Sequence, residues 1–371
     1  MTTKARKLAD LGNVYDDGAL SNRNMVINGG MTVAQRSSSA TGVSASAYVA
    51  CDRFYTLINS LGTYTVSQAS DSPSGFASSL KYECTTADAS PAAADYFVFQ
   101  YRMEGQDVQR IAKGTSEAKP MTLSFWVKSN VTGTYSMYLR DIDNNRGVGA
   151  NYAISSSGVW EYKTVTIPAD TTGALDNNND LSLSLEWWLG SGTDYSSGTM
   201  PTTWGTENIA DRNAGSTVNV GNTIGNYFQI TGVQLEIGDT STAFEHELYS
   251  VTLQKCQRYY CKSFDQGDAP ASGLNATREI PSAAYSGSQV YANLQEFPVT
   301  MRAAPSVTRY SVSLSSGTDW ALYISSSWTT VTDSNAVLIK DSSFTPYLSK
   351  TGLSTAGAYL AAISWAADAE L

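Results

Sequence analysis

The chain has 371 residues, of which only 16% are charged, and its formal net charge is −10. A chain of this length can bury one large core or two smaller ones, so we expect two domains plus terminal extensions. The acidic balance and the lack of a basic stripe exclude a nucleic-acid-binding protein, because phosphate contacts require clustered Lys and Arg.

The first 24 residues are predicted to form an arm. They contain few apolar anchors, and Gly12, Asp16 and Gly18 interrupt the one segment that could form a short helix. The arm is either held by neighbouring molecules in a large assembly or folded back on its own domain. It lacks the apolar segment of a secretory signal, and no later stretch is long enough to span a bilayer. We therefore expect a protein that is made in a cytoplasm and does not insert into a membrane.

Two-residue alternation in the middle of the chain predicts β-strands with one apolar face each. It occurs in SFWVKS at 124–129, in TYSMYLRDI at 134–142 and in LSLSLEW at 181–187. Such strands belong to antiparallel sheets, and two stacked sheets form a sandwich. The Asp-, Asn- and Gly-rich connectors at 141–149, 170–180 and 189–226 are predicted loops, and the last is long enough to indicate a binding role.

The stretch 226–261 changes from a strand pattern to a helix pattern. Alternation over 227–237 ends at Gly238, and apolar residues after Phe244 fall three or four apart, as on one helix face. We interpret it as the last strand of a β-domain followed by a helix that leads the chain out. The predicted organisation is an arm at 1–24, a β-sandwich at 25–246, a linking helix at 247–262 and a smaller β-domain at 263–371.

The C-terminal part is predicted to be a second β-domain that ends in a strand. LAAISWAADAEL alternates apolar residues up to the last position. Its strands are rich in aromatic residues and poor in charge, and a small β-domain buries too little surface by itself. These features predict a homotrimer.

Several segments, taken in order, resemble a family of tailed-phage virion proteins. They are NMVINGGMTVAQR at 24–36, YVACDRFYTL at 48–57, MTLSFWVKSN at 121–130, WEYKTVTIP at 160–168, FQITGVQLEIGDTSTAFE at 228–245 and CQRYY at 256–260. The resemblance covers roughly 22–261, and KARKLADLG at 4–12 is similar to N-terminal segments of fibre proteins of cyanobacterial phages. It implies an all-β appendage or tail-fibre protein with a jelly-roll sandwich like that of carbohydrate-binding modules.

The cysteines and the histidine do not predict a metal site. The CxxC spacing of a zinc site is absent from Cys51, Cys84, Cys256 and Cys261, and the lone His246 cannot build a nitrogen-rich site. We therefore predict free thiols that are buried or half-buried.

The segment DIDNNRG places Asp141, Asp143 and Asn145 at alternate positions, as at the start of a calcium loop, and jelly-roll modules of this type hold a structural calcium. Gly147 comes one place late, however, and Tyr152 stands where the closing Glu is needed, which favours a solvated turn. We expect no cofactor other than this possible calcium.

Aromatic residues near the long loop are the candidate ligand contacts, since flat rings suit sugar binding. Tyr195, Trp204 and Trp188 lie in or beside 189–226, whereas Trp187 fits the buried face of its strand. Packing in the core is the alternative for each of them.

The sequence does not indicate an enzyme. A glycosidase needs two carboxylates flanking one bond, and Glu186, Glu236 and Glu245 show no paired signature. The lone His246 stands beside Glu247 near a helix start, which indicates an exposed polar residue and not a catalytic base.

We therefore expect a virion structural protein, assembled in the host cytoplasm, whose arm binds other virion proteins. It would be a tail fibre or adsorption appendage that contacts host surface glycan. The alternatives are a capsid decoration or head fibre protein and, less well supported, a glycan depolymerase. Binding to cells or lipopolysaccharide would favour the first, binding to capsid shells the second, and release of reducing sugar the third.

Overall fold

The computed structural model describes residues 22–273, 278–311, 317–355 and 357–371. The predicted arm at 1–24 therefore lies almost wholly outside the described residues. The described chain falls into two compact units: the first contains 22–32, 39–248 and residue 371, and the second contains 33–38 and 249–370. This grouping differs from the predicted domain boundaries mainly at 33–38, which belongs to the second unit.

The first unit is built from strands that alternate in burial. Its strands are β1 (Ser39–Val43), β2 (Ala47–Tyr48), β3 (Phe54–Asn59), β4 (Thr63–Ala69), β5 (Ser79–Thr86), β6 (Tyr96–Glu104), β7 (Met121–Ser129), β8 (Gly133–Asp141), β9 (Arg146–Ile154), β10 (Glu161–Ile167), β11 (Leu181–Ser191), β12 (Gly205–Thr206) and β13 (Tyr227–Ile237). Two one-turn helices, α1 (Gly105–Val108) and α2 (Thr193–Ser196), lie in its loops.

These strands form two antiparallel sheets. The first sheet has the order β1-β4-β5-β13-β7-β10, and the second has the order β12-β9-β8-β11-β6-β3-β2. The chain crosses from one sheet to the other repeatedly, between β3 and β4, β5 and β6, β7 and β8, and β9 and β10. This is the predicted jelly-roll sandwich, and with 45% strand and 8% helix the all-β class is confirmed.

Aromatic side chains from both sheets fill the core of the sandwich. Trp187 is fully buried, stacks on Phe99 at 4.8 Å between ring centroids and meets Phe125 edge-on at 5.9 Å. These three rings come from β11, β6 and β7, so the core links both sheets. Trp187 is thus a core residue, as the alternation predicts.

Residues 24–29 are held against β13 by hydrogen bonds. The Asn24 side chain donates to the Val233 carbonyl at 3.0 Å and accepts from the Leu235 amide at 3.1 Å. The Val233 amide in turn donates to the Gly29 carbonyl at 3.0 Å, and a Cβ on Gly29 would lie 2.0 Å from the Val233 oxygen. Glycine is required at this position because the two backbones touch.

The helix that follows the sandwich is shorter than predicted. α3 spans Tyr249–Gln257, and β14 (Tyr260–Lys262) occupies the end of the predicted 247–262 helix. β14 leaves the helical pattern because its backbone pairs with β23 (Ala358–Asp368), the last strand of the chain. Within the described residues, no helix is long and apolar enough to cross a membrane.

The second unit has its own sheet and core. Its remaining strands are β15 (Arg278–Ser286), β16 (Gln289–Ala292), β17 (Gln295–Glu296), β18 (Ser306–Tyr310), β19 (Trp320–Ile324), β20 (Ser327–Val331), β21 (Asp333–Val337) and β22 (Ser343–Ser349). Trp320, Phe344 and Trp365 pack together in its core. The final strand predicted from LAAISWAADAEL is confirmed as part of β23 and lies within the sheet.

The four cysteines are free and buried, as predicted. Burial raises the pKa of Cys261 to about 12 and raises that of Cys51 further, since a thiolate loses its hydration there. Thiols in this state are poor nucleophiles and poor metal ligands at neutral pH.

Candidate functional site

The outer face of the second sheet carries an unusual set of polar and aromatic side chains. In β6 and β11 one set of alternating residues enters the core, and the other set faces outward. The register places Trp188 opposite Val98 and Glu186 opposite Gln100, while Asn59 of β3 lies opposite Tyr96. The long loop that follows β11 folds back over part of this face.

Three rings on this face form what we call the aromatic shelf: Tyr96, Trp188 and Tyr195. The Tyr195 ring lies 5.1 Å from that of Tyr96 and 5.2 Å from that of Trp188, and the Tyr96 and Trp188 rings are 6.5 Å apart. The two tyrosines are half-buried, whereas Trp188 is only 2% exposed. The shelf therefore offers two tyrosine rings supported from below by an indole.

The loop after β11 positions Tyr195. This residue lies in α2, which begins after Gly192, and a Cβ on Gly192 would lie 1.9 Å from the Ala92 carbonyl oxygen. The Gly192 amide donates to the Asp95 carbonyl at 2.8 Å, and the Asp194 amide donates to the Ala93 carbonyl at 3.0 Å. A glycine is thus needed where the loop contacts the segment before β6, and this contact brings Tyr195 over Tyr96.

Polar groups flank the shelf on two sides. Asn59 and Asp194 are exposed beside the two tyrosines. Gln100 lies deeper and donates through Nε2 to Oε1 of Glu186 at 2.8 Å. The shelf thus combines partly exposed rings with amide and carboxylate groups, which is the usual composition of a site for a polar organic ligand.

A closed ionic network holds the long loop on the sheet. Arg140 of β8 donates through Nε to Glu207 at 3.0 Å, and its terminal nitrogen lies 3.6 Å from Glu186. Arg212 forms an ion pair with Glu207. Burial raises the pKa of Glu186 although Arg212 and Arg140 act in the opposite direction. Both carboxylates are therefore committed to arginines, and a substrate cannot reach Glu186, which is fully buried.

Of the predicted ligand contacts, the structure brings Trp188 and Tyr195 together. Trp188 does not face a ligand, because Tyr96 and Tyr195 pack against it, and its indole nitrogen donates to Glu186 at 3.1 Å. Its role is to support the shelf.

Trp204 is the predicted contact that lies apart from the shelf. It packs against the sandwich core, and its indole nitrogen donates to the Pro168 carbonyl at 2.8 Å. The Lys113 ammonium sits 4.8 Å from its ring centroid, a cation–π contact. The hydrogen bond and the cation–π contact of Trp204 are both internal, and its ring is half-buried, so these contacts favour packing for this residue.

The two aspartates among the predicted calcium ligands have partners within the protein. Asp141 is fully buried and forms an ion pair with Lys113, which also lies 3.0 Å from Asp170. Asp143 accepts from the Asp176 amide at 2.9 Å, and Asn145 has the left-handed φ of 51° at the turn between β8 and β9. Lys113 supplies the positive charge at Asp141. Among the described residues, no group of three or more His, Cys, Asp or Glu side chains could hold a metal ion.

The turn is also shorter than the predicted loop at 141–149. β9 begins at Arg146, because Asp141 and Arg146 already pair at the end of the β8–β9 hairpin. Arg146 donates to both oxygens of Asp170 at 2.9 and 3.0 Å. Burial acts to raise the pKa of Asp170, but the hydrogen bonds from Arg146 and Lys113 outweigh it and lower this pKa.

Sequence reasoning missed Tyr96, Gln100, Arg140 and Arg212. The signal for the first two was present, because YFVFQYRME over 96–104 alternates Phe97 and Phe99 with outward-facing residues. Arg140 had no local signal, since its partner Glu207 lies 67 residues later in the sequence, and the five-residue spacing of Glu207 and Arg212 does not by itself indicate a site.

Comparison with known proteins gives limited information. No family model matches the chain, and no curated protein matches it. Among solved structures, the chain is similar to the enzymatically active domain of tailspike protein 4 of bacteriophage CBA120, at 13% identity over 58% of this chain and 22% of that one, with a TM-score of 0.30. It is also similar to a CBM4 structure, at 12% identity over 57% and 99% of the two chains with a TM-score of 0.29.

A family 11 carbohydrate-binding module from Clostridium thermocellum, in complex with a mixed-linked tetrasaccharide, is similar at 11% identity over 52% of this chain and 91% of that one, with a TM-score of 0.27. These TM-scores are all below 0.5.

Proposed function

We propose that the chain is a non-enzymatic bacteriophage virion protein, a tail fibre or adsorption appendage, that contacts host surface glycan through the aromatic shelf. The observation that carries this proposal is the pair of half-buried tyrosines, Tyr96 and Tyr195, held over Trp188 and flanked by Asn59 and Asp194. Pyranose rings pack their C–H faces on aromatic rings, while amides and carboxylates bind their hydroxyl groups.

The virion context is supported by the ordered segments of the sequence that resemble tailed-phage appendage proteins. In this proposal the arm at 1–24 binds other virion proteins, and the protein is assembled in the host cytoplasm as a homotrimer. It uses no cofactor, binds no nucleic acid and does not insert into a membrane.

A binding role is favoured over catalysis by the state of the carboxylates at the site. Glycoside hydrolysis needs a carboxylic acid and a carboxylate on either side of an accessible bond. Glu186 is fully buried, and Glu207, a residue of the loop, is paired with Arg140 and Arg212, so neither is placed to transfer a proton to a ligand on the shelf. A depolymerase is therefore the less well supported function.

The test is binding of the full-length protein and its variants to lipopolysaccharide and surface polysaccharide from candidate hosts. Replacing Tyr195 or Tyr96 with Ala should weaken binding at least tenfold, because each change removes one stacking ring worth about 1.4 kcal/mol or more. Tyr162→Ala is the matched control, since Tyr162 is 43% exposed on β10 of the first sheet. Equal binding by the wild type and both shelf variants, with intact folding, would remove the shelf from the proposal.

Two further outcomes separate the alternatives. Immunogold labelling at the tail is expected for a fibre, whereas labelling over the head, together with binding to capsid shells and not to cells, would identify a decoration protein. Release of reducing sugar from the polysaccharide would identify a depolymerase and would overturn the non-enzymatic proposal.

A further inference from the structure

The sheet of the second unit has an outward face that is rich in aromatic side chains. Six residues define what we call the aromatic face: Tyr285, Tyr291, Tyr323, Trp328, Tyr347 and Leu360. The alternate residues of the same strands, such as Leu322, Leu348 and Ile363, are fully buried in the core of the unit. The aromatic face is therefore the side of the sheet opposite to its core.

The register shows that these residues form two connected rows across the sheet. In one row Trp328 pairs with Tyr323, and Tyr323 pairs with Leu360. In the other row Tyr291 pairs with Tyr347, and the Tyr285 ring lies 6.1 Å from that of Tyr291. The rows cross six strands, β20, β19, β23, β15, β16 and β22, which corresponds to about 24 Å at the usual strand spacing of about 4.8 Å.

The face is open and apolar. Tyr285, Tyr291, Tyr323, Trp328 and Leu360 are between 37% and 75% exposed, and Tyr347 is half-buried. Given the size of aromatic side chains, this amounts to on the order of 500 Å² of exposed surface. That is near the upper limit for a patch on a monomer, and it matches the apolar centre of an interface that buries about 800 Å² per partner.

Charge is confined to the rim of the face. Among the described side chains, the alternation places Glu279 of β15 and Asp333 of β21 on the same side of the sheet, each beyond one end of the rows. The chain as a whole carries a net charge of −10, so two copies repel each other over most of their surface. The uncharged aromatic face is where a second copy can approach with the least charge repulsion. An apolar centre with a polar rim is also the usual composition of a protein interface.

The ring orientations fit a protein surface as the occupant. The Tyr285 and Tyr291 rings are perpendicular at 90°, and the Tyr323 and Trp328 rings are inclined at 62°. Inclined rings leave grooves that accept side chains of another sheet.

We propose that the aromatic face is the contact through which copies of this chain associate. The inference deepens the homotrimer of the proposed function and rests on that part of it, but it does not depend on glycan binding by the aromatic shelf. The partner is a second copy of the chain, which presents its own aromatic face or the strands that border it.

The experiment is sedimentation velocity of the full-length protein over a micromolar concentration range. The wild type is expected at a multiple of the 39.8 kDa chain mass. Leu360→Glu places a charge in the centre of the face and should weaken association at least about 30-fold, the effect of losing one interface hot spot. Tyr323→Ser, which removes a ring without adding charge, should weaken it at least tenfold and keeps the test valid if the glutamate variant fails to fold.

The control is Tyr162→Glu, because Tyr162 has the same exposure as the residues of the face but lies in the first unit. It should leave the mass distribution unchanged. A wild type that is monomeric throughout would overturn both this inference and the proposed homotrimer. An oligomer that persists in folded Leu360→Glu and Tyr323→Ser would overturn this inference alone.

Loss of polysaccharide binding by these two variants, with their association unchanged, would show a glycan on the aromatic face and would equally contradict the inference. Glycan binding by the shelf is read from Tyr96→Ala and Tyr195→Ala, so the two proposals fail separately.

Discussion

Lys113 provides the positive charge that a bound cation would otherwise supply to Asp141 and Asp170. Its side chain is 2% exposed, and its ammonium also donates to the carbonyls of Thr172 and Gly173 at 3.0 and 2.9 Å. The pair is thus surrounded by compensating partners, which is the condition under which a buried charge is tolerated.

We expect Lys113→Ala to lower the free energy of unfolding of the first unit by about 3–5 kcal/mol, because it leaves the buried Asp141 carboxylate without a cation, whereas Asp170 keeps Arg146. Urea unfolding followed by tryptophan fluorescence measures this change. Lys163→Ala is the control and should cost about 1 kcal/mol or less, since its pair with Glu161 is partly solvated. Adding a chelator should leave the urea midpoint of the wild type unchanged. A lower midpoint in the presence of the chelator would indicate that this site binds calcium.

Glu186 makes stability depend on pH in a direction opposite to that of most carboxylates. Burial raises its pKa above the ordinary value of 4.5, so the folded chain binds a proton at Glu186 more tightly than the unfolded chain does. Its contribution is therefore most favourable below pH 4.5 and is lost as the pH rises through the folded-state pKa.

Glu186→Gln should remove this dependence. Between pH 4.5 and 7 the wild type should lose unfolding free energy relative to the variant. The loss should be about 1.4 kcal/mol for each unit by which the pKa of Glu186 is raised. Urea titrations at several pH values measure it. Glu161→Gln is the contrasting control, because the Glu161 pKa is lowered and its contribution is lost only as the pH falls below 4.5. A constant Glu186→Gln difference across the range would contradict the prediction.

At the scale of elements, strand positions were readable from the sequence and loop contacts were not. β13 runs over Tyr227–Ile237, the span that the alternation predicts, because its side chains face a core on one side. The linking helix was predicted too long, since β14 takes its backbone hydrogen bonds from β23, more than a hundred residues later. Contacts distant in the sequence bury Trp188 and leave Trp204 half-buried against the sandwich core, and no local pattern around either residue shows this.

Leu235 tests the importance of β13, which pairs with both β5 and β7 in the first sheet. Leu235→Asp should abolish the unfolding transition of the first unit in calorimetry, because a charge without a partner would replace a fully buried side chain. The transition of the second unit should remain, since that unit has a core of its own. Val159→Asp is the control, as Val159 is 51% exposed; a native first transition in Leu235→Asp would mean that the strand lies elsewhere.

At the scale of the whole molecule, each unit keeps an apolar interior and carries its functional candidate on the outer face of a sheet. In the first unit a long loop covers part of this face and leaves the shelf tyrosines partly exposed. In the second unit the face is uncovered. We therefore propose glycan contact for the first unit and self-association for the second.

The sequence by itself determined the all-β class, the strand faces and the acidic, cysteine-poor character of the surface, because side-chain alternation is a local property that burial enforces. Only the tertiary structure decided which outward residues meet. Tyr96 and Tyr195 are about a hundred residues apart, and Lys113 and Asp141 are 28 residues apart, so no local pattern could pair them. Pairing across sheets depends on register and loop path. These decide here that one tryptophan supports a shelf, that another packs against the core, and that a lysine forms an ion pair with Asp141, one of the predicted calcium ligands.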